Sequence, residues 1–367
     1  MDSEKTLLKP GVVIKPNCNE LTAVDLVHRF YGFKVIELTE MNSYDDRNYL
    51  ITVEERETNC NLIQYTLKIT NSLESSVPNL IEAFNEMGIY LKQNGLTVPY
   101  PIPSKDGKLL VRVRLSEKSE AENAVRLLTF IPGKLIREVE YTKPLLYEAG
   151  KLLAKLTNAL EKFENDALKN RNMIWSLNNV PRLRSFLFAL KDESRKVLVS
   201  NLIKEFEIDV LSKTHSFKAG IIHGDFNEQN LIVDKVGNEF KPYGIIDFGD
   251  CHFAPLVFDL AILCTYIMLD CKTMDPTEAP AYVIAGYTSL RALTDEEFSI
   301  IPLCIKARLC QSLVLGAYTY SQDPSNEYIL SSSKTGWTRL QNIIDINETM
   351  LLQLWKSVKE NYAIEKI

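Results

Sequence analysis

The most informative stretch of the sequence is Ile221-Ile222-His223-Gly224-Asp225-Phe226-Asn227-Glu228-Gln229-Asn230-Leu231-Ile232-Val233. Its ends are apolar and rich in β-branched residues, so it predicts two buried strands joined by a short loop with the pattern H-x-D-x-x-x-x-N. A hairpin turn follows, and the next strand, from Tyr243, brings Asp247 to the same edge as Asp225. The sequence therefore places Asp225, Asn230 and Asp247 together at one edge of a small sheet.

These three side chains are the groups that phosphoryl transfer needs. One carboxylate must orient the attacking hydroxyl and accept its proton, and a second carboxylate and an amide oxygen must hold Mg²⁺ on the nucleotide phosphates. Asp225 suits the first role, and Asn230 and Asp247 suit the second. The alternative is that all three only satisfy backbone groups in turns. The H-x-D-x-x-x-x-N pattern followed by I-I-D-F-G on a second strand is too specific a combination for that to be preferred.

A lysine that binds nucleotide phosphates is expected upstream of this motif. Lys68 lies near the end of the apolar strand Leu62–Ile69, which is the expected setting, and it also has the plainer interpretation of a solvated strand residue. A helix carboxylate is needed to orient it. Glu82 and Glu86 lie four residues apart on an amphipathic helix predicted over 78–94, so both qualify.

Composition limits the class of protein. The chain has 367 residues, 46% hydrophobic and 25% charged, with a net charge of −6, which excludes a disordered or fibrous protein and argues against a nucleic-acid partner. Its seven cysteines contain no C-x-x-C pair, so neither a disulfide framework nor a zinc site is expected. The longest apolar run is too short to cross a membrane, and no secretory signal is visible. We therefore expect a cytoplasmic protein with no membrane partner.

The secondary-structure pattern predicts an α+β protein with two lobes. Residues 1–130 contain the strand candidates Asn48–Val53 and Leu62–Ile69, a loop between them and two further strands, and form the predicted nucleotide-binding lobe. Residues 131–367 are mainly helical in period and form the predicted catalytic and substrate-binding lobe. No G-x-G-x-x-G precedes the first strand. Ser43 and Asn48, in the polar turn there, are candidates to cap phosphates, with an ordinary turn as the alternative.

The whole pattern resembles the aminoglycoside phosphotransferase/choline kinase family, a branch of the protein-kinase-like fold. The marks are His223-Gly224-Asp225 in place of H-R-D, the I-I-D-F-G-D stretch and the absence of an A-P-E segment. Within the family, further stretches point to the branch that phosphorylates 5-hydroxy-L-lysine with GTP as donor. They are Ser43-Tyr44-Asp45-Asp46-Arg47-Asn48, Tyr65-Thr66-Leu67-Lys68-Ile69, 125–133, Asn179-Val180-Pro181, Cys310-Gln311-Ser312-Leu313-Val314 and Lys334-Thr335-Gly336-Trp337.

The resemblance implies roles for individual residues. Asp225 is the implied base, Asn230 and Asp247 are the implied Mg²⁺ ligands, and Lys68 is the implied partner of the α- and β-phosphates, oriented by Glu82 rather than Glu86 because its flanking sequence is nearer the family pattern. The nucleotide is GTP or ATP, and the backbone near Leu128 and Phe130 is implied to contact the purine. Asp259 matches a position that braces the catalytic loop.

The acceptor site is less sharply defined. An amino acid with two ammonium groups and one carboxylate needs acidic or aromatic groups and one cation, and Asp250, Trp175 and Arg308 are the candidates. Each also has a structural alternative: Asp250 as a turn residue, Trp175 as a core residue and Arg308 as a surface or salt-bridged residue. Two alternatives remain for the protein: a related kinase for choline, ethanolamine, homoserine or an aminoglycoside, or a non-catalytic nucleotide-binding member of the fold.

Overall fold

The computed structural model describes residues 12, 14–43, 45–54, 62–115, 121–322 and 333–365. The chain forms two compact units, one comprising Met1–Pro132 and Asn165–Leu168, the other Gly133–Glu164 and Lys169–Ile367. The loop predicted between the first two strands, Tyr44 of the polar turn and the side chain of Lys334 lie outside the described residues.

The first unit is built on an antiparallel sheet of six strands: β1 (Val35–Met41), β2 (Arg47–Glu54), β3 (Leu62–Ile69), β4 (Pro101–Ile102), β5 (Val111–Val113) and β6 (Asn123–Thr129). Their order is β1-β2-β3-β6-β4, and β5 also pairs with β6. Side chains alternate between the faces of a strand. Tyr49, Ile51 and Leu67 therefore enter the core on one face, and Lys68 projects from the other.

The helices of this unit are α1 (Glu20–Leu26), which continues as a π-helical turn over Val27–Tyr31, α2 (Ser72–Ser75) and α3 (Leu80–Gln93). Asn19 caps α1 by accepting from the backbone N–H of Thr22 at 2.9 Å. The helix predicted over 78–94 and the strands predicted over Asn48–Val53 and Leu62–Ile69 are confirmed, whereas β1 was not predicted.

The second unit is mainly helical. Its helices, with the short α5 that lies partly in the first unit, are α4 (Lys143–Leu160), α5 (Asp166–Lys169), α6 (Glu193–Asp209), α7 (Val257–Asp270), α8 (Ala279–Thr288), α9 (Asp295–Ser299), α10 (Ile301–Gln322), α11 (Ser333–Asp345) and α12 (Glu348–Glu365). A Cβ atom added to Gly150 of α4 would lie 1.9 Å from the carbonyl oxygen of Val283 in α8, so glycine permits this close crossing. Over the described part of the chain, no helix is long and apolar enough to span a membrane.

Five short strands position the polar loops of the second unit: β7 (Lys134–Leu135), β8 (Ala219–Ile222), β9 (Leu231–Val236), β10 (Glu239–Ile245) and β11 (His252–Pro255). They form the antiparallel sheets β10-β9-β7 and β11-β8. Loop 223–230 connects β8 to β9, and loop 246–251 connects β10 to β11. Because β8 pairs with β11 and β9 with β10, the two loops are held side by side at both ends.

Candidate active site

The motif loop 223–230 and the loop 246–251 are joined by hydrogen bonds. The backbone N–H of Ile246 donates to the carbonyl oxygen of Asn230 at 3.0 Å. The His223 Nε2 atom lies 3.0 Å from the carbonyl oxygen of Ile246, which it can reach only as a donor. Burial lowers the pKa of His223 to about 4, so the imidazole is neutral at pH 7. Its hydrogen bond to Ile246 connects the two loops.

Asp259, in the first turn of α7, braces the motif loop from below. Its Oδ2 accepts from the backbone N–H of His223 at 2.7 Å and its Oδ1 from that of Gly224 at 2.8 Å. Asp259 is 2% exposed. Burial raises its pKa to about 6, although these backbone donors act in the opposite direction. The bracing role implied by the family resemblance is confirmed.

Backbone geometry at two positions fits the loops to each other. Gly224 has φ 79°, and a Cβ atom there would lie 2.3 Å from the carbonyl oxygen of Asp250, so this position requires glycine. Asp247 has φ 58°, a left-handed conformation that costs free energy for a residue other than glycine. Such strain is found where a side chain must point in one direction, often at functional sites.

The carboxylate of Asp225 is held at both oxygens. Oδ1 accepts from Arg308 Nη2 at 2.7 Å, and Oδ2 accepts from Asn230 Nδ2 at 3.0 Å. The side chain is 25% exposed, so solvent reaches it. Burial raises the pKa of Asp225 to about 7, opposed by Arg308 and reinforced by the nearby charge of Asp247. Asp225, Asn230 and Asp247 are therefore gathered in one place, and Asp225 can titrate near neutral pH.

Arg308 was predicted to bind a substrate carboxylate; the structure shows it bonded to other groups of the protein, and the substrate role stays a prediction. The residue is 1% exposed. Besides Asp225, its guanidinium donates to Tyr266 Oη at 3.2 Å, the Trp175 carbonyl oxygen at 3.0 Å and Gln311 Oε1 at 3.1 Å. Arg308 thus makes four bonds within the protein, and its charge compensates that of Asp225.

Trp175 and Asp250 also lie at this site. Arg308 Cζ lies 5.2 Å from the centroid of the Trp175 ring, so the cation that the ring contacts is one of the protein's own. Burial raises the pKa of Asp250 to about 7, and the neighbouring charge of Asp225 adds to the effect. Arg171 donates to the carbonyl oxygens of Gly249 and Cys251 and so fixes the backbone on both sides of Asp250. The acceptor roles of Trp175 and Asp250 stay predictions.

The donor set suits Mg²⁺. Among the described residues, no group of three histidine, cysteine, aspartate or glutamate side chains is arranged to hold a metal ion. Mg²⁺, however, is commonly held by one or two protein oxygens and completes its shell with phosphate and water oxygens. Because Asn230 Nδ2 donates to Asp225, Oδ1 is the amide atom suited to a metal ion, and Asp247 supplies a carboxylate.

Lys68 pairs with a different carboxylate from the one predicted. Its Nζ lies 3.1 Å from Oδ2 of Asp46, which directly precedes β2. Glu82 Oε1 lies 3.5 Å from Arg112, and Glu86 Oε2 accepts from Asn165 at 3.1 Å. The contacts described for Glu82 and Glu86 are therefore with Arg112 and Asn165, and the orientation of Lys68 by Glu82, or alternatively by Glu86, stays a prediction.

The other nucleotide-side candidates are described but not tested. Ser43 Oγ donates to the carbonyl oxygen of Asp46 at 2.5 Å, which closes the turn. Asn48 lies directly opposite Lys68 on the neighbouring strand, and its Oδ1 is buried without a hydrogen-bond partner. Leu128 and Phe130 lie half-buried at the end of β6. Their predicted contacts with phosphate and purine stay predictions.

Sequence reasoning missed Asp46, Arg171 and Gln311. Gln311 is fully buried and donates to the carbonyl oxygens of Ile174 and Ser176, which ties the segment carrying Trp175 to α10. Gln311 could have been found from its spacing, because it lies three residues after Arg308 on an apolar helix. Two buried polar residues at that spacing indicate that they share a polar partner.

Comparison with known proteins defines the class. A profile described as "Phosphotransferase enzyme family" matches residues 37–293. The chain belongs to this phosphotransferase enzyme family. It is 33% identical to the hydroxylysine kinase of Xenopus laevis over 95% of this chain and 96% of that protein, and 33% identical to that of Mus musculus over 96% of each. The homoserine kinase of Rhizobium etli is 27% identical over 65% of this chain.

Solved structures show the same fold. Amicoumacin kinase aligns with a TM-score of 0.67 at 17% identity, covering 91% of this chain and 97% of its own. A microcompartment-associated aminopropanol kinase aligns with a TM-score of 0.62 at 19% identity, covering 91% and 100%. The predicted α+β, kinase-like fold and the predicted enzyme class, a phosphotransferase with an alcohol acceptor, are confirmed.

Proposed function

We propose that this chain is a Mg²⁺-dependent kinase that transfers the γ-phosphoryl group of a purine nucleotide, with GTP as the preferred donor, to the hydroxyl of 5-hydroxy-L-lysine. The observation that carries the proposal is the grouping of Asp225, Asn230 and Asp247 on two adjoining loops. The full-length similarity to hydroxylysine kinases supports the choice of acceptor.

Asp225 is the base in this proposal. As the acceptor oxygen bonds to the γ-phosphorus and the bond to the β,γ-bridging oxygen breaks, the hydroxyl proton passes to the Asp225 carboxylate. Arg308 and Asn230 fix the orientation of that carboxylate before the acceptor binds. Asn230 and Asp247 would hold Mg²⁺, which when bound neutralises charge on the phosphate oxygens. Lys68 binds the α- and β-phosphates.

The proposed acceptor carries two ammonium groups and one carboxylate, which the protein must bind. Asp250 is the proposed partner of an acceptor ammonium, because its carboxyl lies near Asp225 and a bound cation would favour its charged form. Arg308 is bonded to Asp225 and to three other groups of the protein, so we do not propose it as the partner of the acceptor carboxylate.

An acceptor panel tests the proposal. Purified protein with Mg²⁺ is supplied with GTP or ATP and with 5-hydroxy-L-lysine, homoserine, choline, ethanolamine or an aminoglycoside. Turnover with 5-hydroxy-L-lysine above all others, and faster with GTP, is expected. A preference for homoserine or choline would retain the chemistry but replace the acceptor, and nucleotide binding without turnover on any acceptor would favour a non-catalytic role.

A further inference from the structure

The ion pair of Lys68 lies in a sheltered part of the first unit. Lys68 Nζ is 3.1 Å from Asp46 Oδ2, and the two side chains are only 11% and 12% exposed. An ion pair with so little exposure is screened weakly by solvent and salt, unlike one on the surface. It can therefore fix the position of the ammonium group.

The sheet register explains why Lys68 turns toward Asp46. Lys68 is directly opposite Asn48 on β2 and directly opposite Arg126 on β6. Asp46 is two residues before Asn48, so it is the diagonal neighbour of Lys68 on the same face. Arg126 is 4% exposed, and like charges directly across a sheet repel each other. The ammonium group is thus repelled from the β6 side and attracted to the Asp46 side.

Asp46 is itself held rigidly by a second set of bonds. Its Oδ1 accepts from both the backbone N–H and the Nδ2 of Asn71, at 2.8 and 3.0 Å. Asn71 is 4% exposed and caps α2 by accepting from the backbone N–H of Glu74 at 2.9 Å. Oδ1 is therefore engaged by Asn71, and Oδ2 faces the lysine.

The acidic residues of α3, the helix expected to supply this carboxylate, contact other residues. Glu82 Oε1 lies 3.5 Å from Arg112 while its Oε2 is buried without a hydrogen-bond partner, and Glu86 Oε2 accepts from Asn165. The residue of α3 that bonds to Arg126 is Asn85, whose Oδ1 accepts from Arg126 Nη1 at 3.2 Å. A neutral amide beside a buried arginine cannot replace a carboxylate in orienting Lys68.

We propose that Asp46 is the positioning residue of Lys68: the carboxylate that orients the phosphate-binding lysine comes from the turn before β2 and not from α3. The inference rests on the proposed function, in which Lys68 binds the α- and β-phosphates. Asp46 acts only through Lys68, so its loss weakens binding of the nucleotide and leaves binding of the acceptor unchanged.

Calorimetric titration of the full chain with Mg²⁺·GTP tests this directly. Asp46→Asn removes the charge but retains an oxygen for Asn71, and it should weaken nucleotide affinity about tenfold, because a displaced binding group loses much of its interaction. The KM for the acceptor should not change. Asp46→Glu, which keeps the charge, should recover part of the loss. Glu37→Gln, at an exposed position on β1, is the matched control for loss of one carboxylate.

A double-mutant cycle separates positioning from a structural role. In a Lys68→Met background, Asp46→Asn should have no further effect on nucleotide affinity, because the residue through which it acts is gone. The same loss in both backgrounds, or tighter binding by Asp46→Asn, would overturn the inference. So would a loss in Glu82→Gln with none in Asp46→Asn. A wild-type protein that binds no purine nucleotide would instead overturn the proposed function and this inference with it.

Discussion

Arg308 and Asp225 form an ion pair at 2.7 Å, although 83 positions separate them and α10 lies far from the motif loop along the chain. The guanidinium is enclosed between the Trp175 and Tyr266 rings, at 5.2 and 5.4 Å from their centroids. The position of the proposed base is therefore set from α10 as well as from its own loop.

Arg308→Met should reduce both stability and turnover. Removing one member of a buried ion pair leaves the charge of its partner uncompensated. We expect the unfolding free energy to fall by about 3 kcal/mol, the lower end of the usual range, because Asp225 is partly exposed. The misplaced carboxylate should reduce kcat about tenfold or more. Urea unfolding and steady-state kinetics measure the two effects.

The control for Arg308 is Lys306→Met on the same helix. Lys306 pairs with Glu348 at 3.1 Å, and Glu348 is 43% exposed on its side chain, so the pair is closer to solvent. The Lys306→Met variant should lose little stability and should keep the wild-type turnover. Unchanged kcat in Arg308→Met would refute the idea that α10 positions the base.

Asp225→Asn should separate binding from chemistry. The variant keeps the shape and one acceptor oxygen, but it cannot take a proton, so kcat should fall by about 10²–10⁴ while Mg²⁺·nucleotide affinity is retained. Single-turnover kinetics and nucleotide titration give both quantities. Undiminished turnover would remove Asp225 from the role of base.

Asp247→Ala should weaken binding of the nucleotide in a way that depends on Mg²⁺. Loss of one of two protein oxygens reduces metal affinity, so more Mg²⁺ should be needed to reach half-maximal nucleotide binding. Asp234→Ala, an exposed position on β9, is the matched control. If the Mg²⁺ dependence of Asp247→Ala equalled that of the control, Asp247 would not be a metal ligand.

His252→Asn should alter the pH dependence of stability. Burial lowers the pKa of His252 to about 4, while Nδ1 donates to the Asp250 carbonyl oxygen at 2.7 Å, a bond that asparagine can replace. The folded pKa lies below the unfolded value of about 6.5, so the unfolded chain binds more protons between them. This imidazole therefore makes unfolding free energy rise with pH from about 4 to 6.5.

The comparison with the variant isolates that effect. Burial raises the pKa of Asp225 and Asp250 to about 7, and these carboxyls act with the opposite sign in the wild type and the variant alike. The difference in unfolding free energy between the wild type and His252→Asn should therefore increase as the pH rises from about 4 to 6.5. Urea unfolding at several pH values measures it. A constant difference would show that His252 does not titrate as the burial implies.

The features that could be predicted from the sequence are those determined by residues close together in the chain. The motif loop, its two flanking strands and Asp247 follow from one short stretch, in which spacing and strand pairing together determine which side chains meet. The helix over 78–94 is similarly local, because the spacing of its apolar residues is read from one short stretch.

Contacts between distant segments could not be predicted in this way. The partner of Arg308 depends on how α10 packs against the segment of Trp175, and the partner of Lys68 depends on strand register and on where Asn71 fixes Asp46. Glu82 had the right spacing along a helix, but spacing does not determine which neighbouring strand that face of the helix meets. Charge and helix position favoured a substrate role for Arg308, and its burial and its bond to Asp225 could be seen only in the structure.

The most direct test compares phosphoryl transfer to 5-hydroxy-L-lysine and to lysine, which differ by one hydroxyl. Purified protein is incubated with Mg²⁺ and GTP, and the phosphorylated product is located by ³¹P NMR. A phosphate ester on the 5-hydroxyl, with no product from lysine and none from Asp225→Asn, is the predicted result. Equal nucleotide consumption with both amino acids, or none with either, would contradict the account.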